Sequence, residues 1–213
     1  MHIPDGVLST PVLVTTGILA AGGVANGLRK IEYERLPRVA VMAAAFFVAS
    51  LIHVPVGPTS SHLLLNGLMG LLIGWAAFPA LLVALALQAV FFGFGGFTSL
   101  GANVIIMASP AVVVYYLFVG RVKRVSLQKR LFGLGILAGI TAILVTCLVA
   151  GLVLWTSGKE FAGAIIAISI AHIPVAIIEG FVTGAIMVFL QKVRPELLYA
   201  PQSHSESEVE NYA

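Results

Sequence analysis

The strongest constraint on this chain is where its charges sit. Long apolar runs follow one another, and the basic residues gather in three short stretches between them: "RKIEYERLPR", "RVKRVSLQKR" and "QKVR". A soluble domain carries about 25% charged residues. Here 10% are charged and 59% hydrophobic, with a mean hydropathy of +1.04. That much apolar surface cannot be hidden inside one globule. The sequence therefore predicts an all-α integral membrane protein.

A helix needs about 20 apolar residues to cross the hydrocarbon core. Candidate spans lie at roughly 8–28, 38–54, 60–77, 79–95, 102–120, 131–156 and 161–190. The stretch 60–95 as a single helix would run ~54 Å, too long for a ~30 Å core. "GWAAFPALL" offers a break, with Pro79 placed to start a new helix. With seven spans, eleven of the twelve Lys and Arg share one face, and only Lys159 lies on the other. With six, the 121–130 cluster would change sides. The positive-inside rule then predicts seven transmembrane helices, the N-terminus outside and the C-terminus in the cytoplasm. Basic loops of this kind orient a membrane protein and do not suggest nucleic acid as a partner. The domain organisation expected is one membrane domain over 1–195, followed by a polar, disordered tail over 196–213. The opening residues lack the basic front and cleavage site of a signal peptide, so Met1 is expected to remain. The one cysteine, Cys147, lies in an apolar run and forms no intramolecular disulfide.

This topology gathers the irregular segments on the outer face: the "MHIPDG" start, "HVPVGPTSSH", "FGFGGFTSLGAN" and "WTSGKE". Irregular backbone near membrane depth survives only where protein buries it or water reaches it. An outward-facing site built from these loops is expected.

His2 is the most informative of the five histidines. In a free Met-His start, the Met1 amine, the His2 amide and His2 Nδ1 form fused five- and six-membered chelate rings. The planar peptide keeps the three donors in one plane. Planar nitrogen ligation suits Ni(II) or Cu(II), whereas zinc prefers a tetrahedron. The other reading of His2 is an interfacial side chain on a frayed terminus. "GPTSSHLLLNG" reads as a turn, an N-cap at Thr59 or Ser60, then a helix with His62 in its first turn. His62 can supply the fourth corner, or be an ordinary histidine at a helix start. His53 is the rival fourth ligand, or an outer-sphere or interfacial residue. Asn66 follows His62 by one helical turn and can orient a ligand. Gln88 and Asn103 are further polar residues in or beside the spans. His172 and Glu179 share a face of the last span, and intramembrane ionisable groups are functional candidates. His172 can stand behind the ligands or on an exit path; a satisfied buried polar pair is the alternative. Asp5 is near enough in sequence to offset metal charge. His204 falls in the tail. Small-xxx-small spacings at Gly70/Gly74, Gly135/Gly139 and Ala21/Ala25 suggest close helix packing. No P-loop, HExxH or paired-cysteine motif occurs, so no ATPase signature is visible.

"MHIPDGVLS", "VPVGPTSSHLLLNG", "FGFGGFTSLGAN" and "AHIPVAIIEG" together resemble the CbiM/NikM family over roughly residues 1–195. These are the substrate-binding S components of energy-coupling-factor cobalt and nickel transporters. The resemblance implies that Met1, His2 and His62 hold the transported Ni(II) or Co(II). It also implies a membrane T component, two cytoplasmic ATPase subunits and a small N accessory subunit as partners. The location implied is the prokaryotic cytoplasmic (inner) membrane. Many relatives have "GGTSGH" where this chain has "GPTSSH". Two other classes compete: a membrane-embedded metalloenzyme, and an S component for an organic vitamin. Neither needs a free Met-His terminus.

Overall fold

The computed structural model describes residues 2–51, 53–56 and 59–199; for 53–56 and 59–61 it describes backbone only. The described residues form helices α1 (Thr10–Arg29), α2 (Leu36–Ala49), α3 (Asn66–Ile73), α4 (Ala77–Phe92), α5 (Leu100–Val122), α6 (Gln128–Ser157) and α7 (Ala162–Val193). One antiparallel hairpin, β1 (His53–Val56) and β2 (Thr59–His62), joins α2 to α3. Five segments are long and apolar enough to cross a membrane: 10–29, 66–92, 100–122, 128–157 and 159–193. The chain is a multi-pass membrane protein.

The expected span over 60–77 requires correction. Residues 59–62 pair with 53–56 instead of starting a helix, and α3 begins only at Asn66. Its eight residues rise about 12 Å, less than half of the ~30 Å hydrocarbon core. The Thr59/Ser60 N-cap is therefore absent, and His62 and Asn66 do not share a helix. The break after α3 is where the sequence places it. Gly74 takes φ +53, a conformation that disfavours any side chain, and Pro79 sits in the first turn of α4.

Burial follows from how many sides of each helix are covered. On α1 only Thr16, Ala20, Gly23 and Gly27 are buried, a single stripe at helical spacing. Nine of the sixteen residues of α4 are buried, so it lies inside the bundle. Outward-facing Ile166, Ile170, Ile173, Ile177 and Phe181 of α7 are exposed apolar side chains that suit lipid. The most extensive helix contact joins α6 to α7. A Cβ on Gly135 would come within 2.6 Å of Gly184 Cα, and one on Gly139 within 2.8 Å of Gly180 Cα. The small-residue spacing at Gly135/Gly139 is thus a helix-packing seam.

The three basic clusters meet at one end. Lys30 lies over the Trp75 ring at 4.9 Å, Glu196 is within electrostatic reach of Arg38, and Gln191 donates to the Ser126 carbonyl at 2.8 Å. The packed chain runs past the expected boundary at 195. Leu198 is buried, and the Tyr199 hydroxyl donates to the Val125 carbonyl at 2.8 Å. Residues 200–213, with His204 and the expected disordered tail, lie outside the described residues.

Candidate metal centre

At the end opposite the basic clusters, the N-terminal segment lies in a cradle made by the α4–α5 loop. Gly93 (φ +67) closes α4, and its N–H returns to the Ala89 carbonyl at 3.1 Å. The loop then passes close over residues 2–5. A Cβ on Gly96 would meet the Asp5 carboxyl at 2.1 Å, and one on Gly95 would meet Asn103 Nδ2 at 2.8 Å. Both glycines also take positive φ. The "GFGG" run is therefore a close-approach surface for the terminus.

Two side chains fasten that terminus. Asn103, buried on α5, accepts the Ile3 N–H at 2.9 Å and donates to the Ile3 carbonyl at 3.0 Å. Asp5 accepts from the Thr98 hydroxyl at 2.6 Å and the Ser99 N–H at 3.0 Å. It caps the start of α5 from another segment, where the helix dipole favours an anion. These hydrogen bonds hold its carboxyl below the ordinary value. Asp5 thus anchors the terminus to the start of α5. Ile3 and Leu8 are buried against Ala102, Ile106 and Leu154.

So held, His2 meets His62. Their ring centroids lie 5.1 Å apart with planes tilted by 33°. Gln88 of α4, fully buried, places Oε1 2.8 Å from His2 Nε2, and its amide nitrogen donates to the Ser50 hydroxyl. A carbonyl accepts only from a protonated ring nitrogen, so the proton goes to His2 Nε2 and the lone pair to Nδ1. For His62 the order is reversed. Its Nδ1 lies 2.9 Å from the Leu63 carbonyl, which leaves the lone pair on Nε2. Each imidazole is oriented by a carbonyl, the arrangement found behind metal-bound histidines. With metal–nitrogen bonds of about 2 Å, rings on adjacent corners of a planar site sit about 4–5 Å apart, and on opposite corners about 6 Å. The observed spacing suits adjacent corners.

The remaining expected residues distribute differently. Met1 lies outside the described residues, as does the His53 side chain; the His53 backbone pairs with His62 across the hairpin. Asn66 donates to the Thr146 hydroxyl at 2.8 Å and belongs to the α3–α6 contact. His172 is buried, with Nδ1 2.8 Å from the Ile168 carbonyl of its own helix. Among the described residues no three His, Cys, Asp or Glu side chains gather as a ligand set. Two imidazoles do converge. Sequence reasoning leaves Gln88 and Asn103 as polar residues in apolar runs, and the structure gives both to the N-terminal segment.

The chain is similar to known metal-transport proteins. The family CbiM, described as a cobalt uptake substrate-specific transmembrane region, matches residues 2–197. A Haemophilus influenzae protein, named provisionally as a metal transport protein, is 45% identical over 96% of this chain and all of its own length. The cobalt transport protein CbiM of Sorangium cellulosum is 33% identical, covering 93% of this chain and 94% of the relative. A crystal structure of a transition metal transporter superposes with a TM-score of 0.76 at 28% identity, over 91% of this chain and 93% of that one.

Proposed function

Because the chain belongs to the CbiM family of cobalt uptake substrate-specific transmembrane proteins, we propose that it captures Ni(II) or Co(II) as the specificity subunit of an energy-coupling-factor uptake transporter. The carrying observation is the approach of two oppositely oriented imidazoles beside an anchored N-terminus. The Met1 amine, the His2 amide and His2 Nδ1 occupy three corners of a plane. The amide is the middle donor, so the fourth corner is adjacent to His2 Nδ1 and goes to His62 Nε2. The amine and amide must lose protons, so affinity rises with pH. A planar nitrogen set disfavours zinc and leans toward nickel over cobalt.

The topology that serves this role has seven spans, with α3 and the hairpin counted as one. The N-terminus faces outward and the basic end faces the cytoplasm of a prokaryotic cell, which agrees with the positive-inside rule. A T component and two cytoplasmic ATPases supply the energy, and a small N subunit completes the assembly. The cobalt-named Sorangium cellulosum relative supports cobalt as a substrate. A Rhodobacter capsulatus relative named a fused nickel transport protein, 33% identical over 96% of this chain and 67% of its own length, supports nickel.

The test is equilibrium dialysis with Ni(II) and Co(II) on the native chain and on one carrying two extra residues before Met1. Binding by the native chain alone supports the terminal chelate. Equal binding by both would refute it.

A further inference from the structure

Glu179 sits near the middle of α7 and is fully buried. Burying a carboxyl at that depth is expensive unless it is paired or serves a function. The ion pairs among the described residues, Arg35–Glu32 and Arg194–Glu196, leave it out. Its Oε1 instead accepts two backbone N–H groups, from Leu64 and from Leu65 at 2.9 Å. Its Oε2 and the neighbouring Thr183 hydroxyl have no protein partner among the described residues. The carboxyl's contacts are thus spent on one short stretch of backbone.

That stretch is unusual. Leu65 is the one described non-glycine residue at positive φ (+50), a left-handed conformation that costs about 1–2 kcal/mol. It lies just before α3. One residue ahead of the clamped pair is Leu63, whose carbonyl orients His62. Glu179 therefore connects to the His62 imidazole through three consecutive residues. The contact also stands on a backbone with little freedom to shift. A Cβ on Gly139 would meet the Glu179 carbonyl at 2.7 Å, and one on Gly67 would meet Gly139 Cα at 2.9 Å. α3, α6 and α7 thus touch backbone to backbone beside the carboxyl.

We infer that Glu179 is the positioning residue that ties α7 to the metal ligand His62, an inference that rests on the capture reading above. The carboxyl holds residues 64 and 65 in the strained turn and so keeps the His62 ring facing His2. A shift of α7, whose far end lies among the basic clusters, releases the two N–H groups. Leu65 then leaves the left-handed region and His62 withdraws. His62 becomes the ligand through which the helix can loosen the ion, while the terminal chelate stays with the N-terminal segment.

The experiment uses the full chain with its native terminus and compares Glu179→Ala with Glu179→Gln. A glutamine carbonyl accepts the same two N–H groups and alanine cannot. Glu179→Ala is expected to weaken Ni(II) binding by about tenfold or more, the usual effect of removing a ligand's support. Metal-free, it should speed hydrogen exchange at amides 64 and 65 by roughly tenfold with α5 unchanged. Glu179→Gln should stay within about threefold of wild type in both. Wild-type affinity and exchange in Glu179→Ala would overturn the inference. If that variant does not fold, the wild type still decides: amides 64 and 65 should exchange as slowly as the interior of α3, and rapid exchange there overturns the inference. If the wild type binds neither Ni(II) nor Co(II), the capture reading fails, and the metal-free exchange still judges the role of Glu179.

Discussion

At the residue scale, the site depends on atoms that orient ligands as much as on the ligands. Gln88 decides which nitrogen of His2 carries the proton. Replacing it with leucine keeps the volume and removes the carbonyl. Gln88→Leu is expected to weaken Ni(II) binding about 10–100-fold, the range for losing a carbonyl behind a metal-bound imidazole. Isothermal titration on detergent-solubilised protein checks this, and near wild-type affinity would show that His2 is oriented otherwise. How much of this was legible varies residue by residue. His2 stands out because its place beside a free amine is itself chemistry. His62 stands out by type, although a hairpin and not a helix start surrounds it. "TSS" before an apolar run has the composition of an N-cap, but the preceding "HVPV" offers a strand partner and pairing wins. Gln88 was visible as one amide in an apolar helix, but nothing local says that its carbonyl meets a residue 86 positions away.

At the element scale, glycine positions determine how closely α6 and α7 pack. Gly139 faces the Glu179 carbonyl and Gly180 Cα, which are backbone atoms that cannot rotate away. Gly139→Ala should therefore force the helices apart and destabilise the fold by about 1–3 kcal/mol, the cost of overpacking. Gly163, also helical, has nothing within 4 Å of a Cβ, and Gly163→Ala should be neutral or slightly stabilising. Thermal unfolding of the two variants in one detergent gives the comparison, and equal melting temperatures would contradict it. The seam was half legible. "Small-xxx-small" at Gly135/Gly139 marks a close approach, and Gly180/Gly184 has the same spacing; that the two pairs face each other becomes evident only when the helices are placed together. The short α3 was hidden for a different reason. Apolar composition across 60–77 satisfies a span count, and backbone that leaves the helix inside a protein interior keeps its hydrophobic side chains.

At the scale of the whole molecule, the fold separates two ends. One gathers the three basic clusters; the other gathers the N-terminus, the hairpin and the α4–α5 loop. The charge pattern made this division readable, because positive side chains constrain orientation regardless of how helices pack. In a Cys147→Ala background, Phe97→Cys should react with a membrane-impermeant maleimide from outside intact cells. Ser126→Cys should react only after permeabilisation. The reverse pattern would invert the topology. The same end that Phe97 marks brings segments from 2–5, 62, 88 and 93–103 around a single location, and the account stands or falls on what that location holds. X-ray absorption of the Ni(II)-loaded chain with its native terminus tests this most directly. The result expected is a four-coordinate, planar, low-spin ion with nitrogen donors only, two of them imidazoles. A six-coordinate ion with oxygen donors, or a single imidazole, would contradict the terminal Met-His and His62 site.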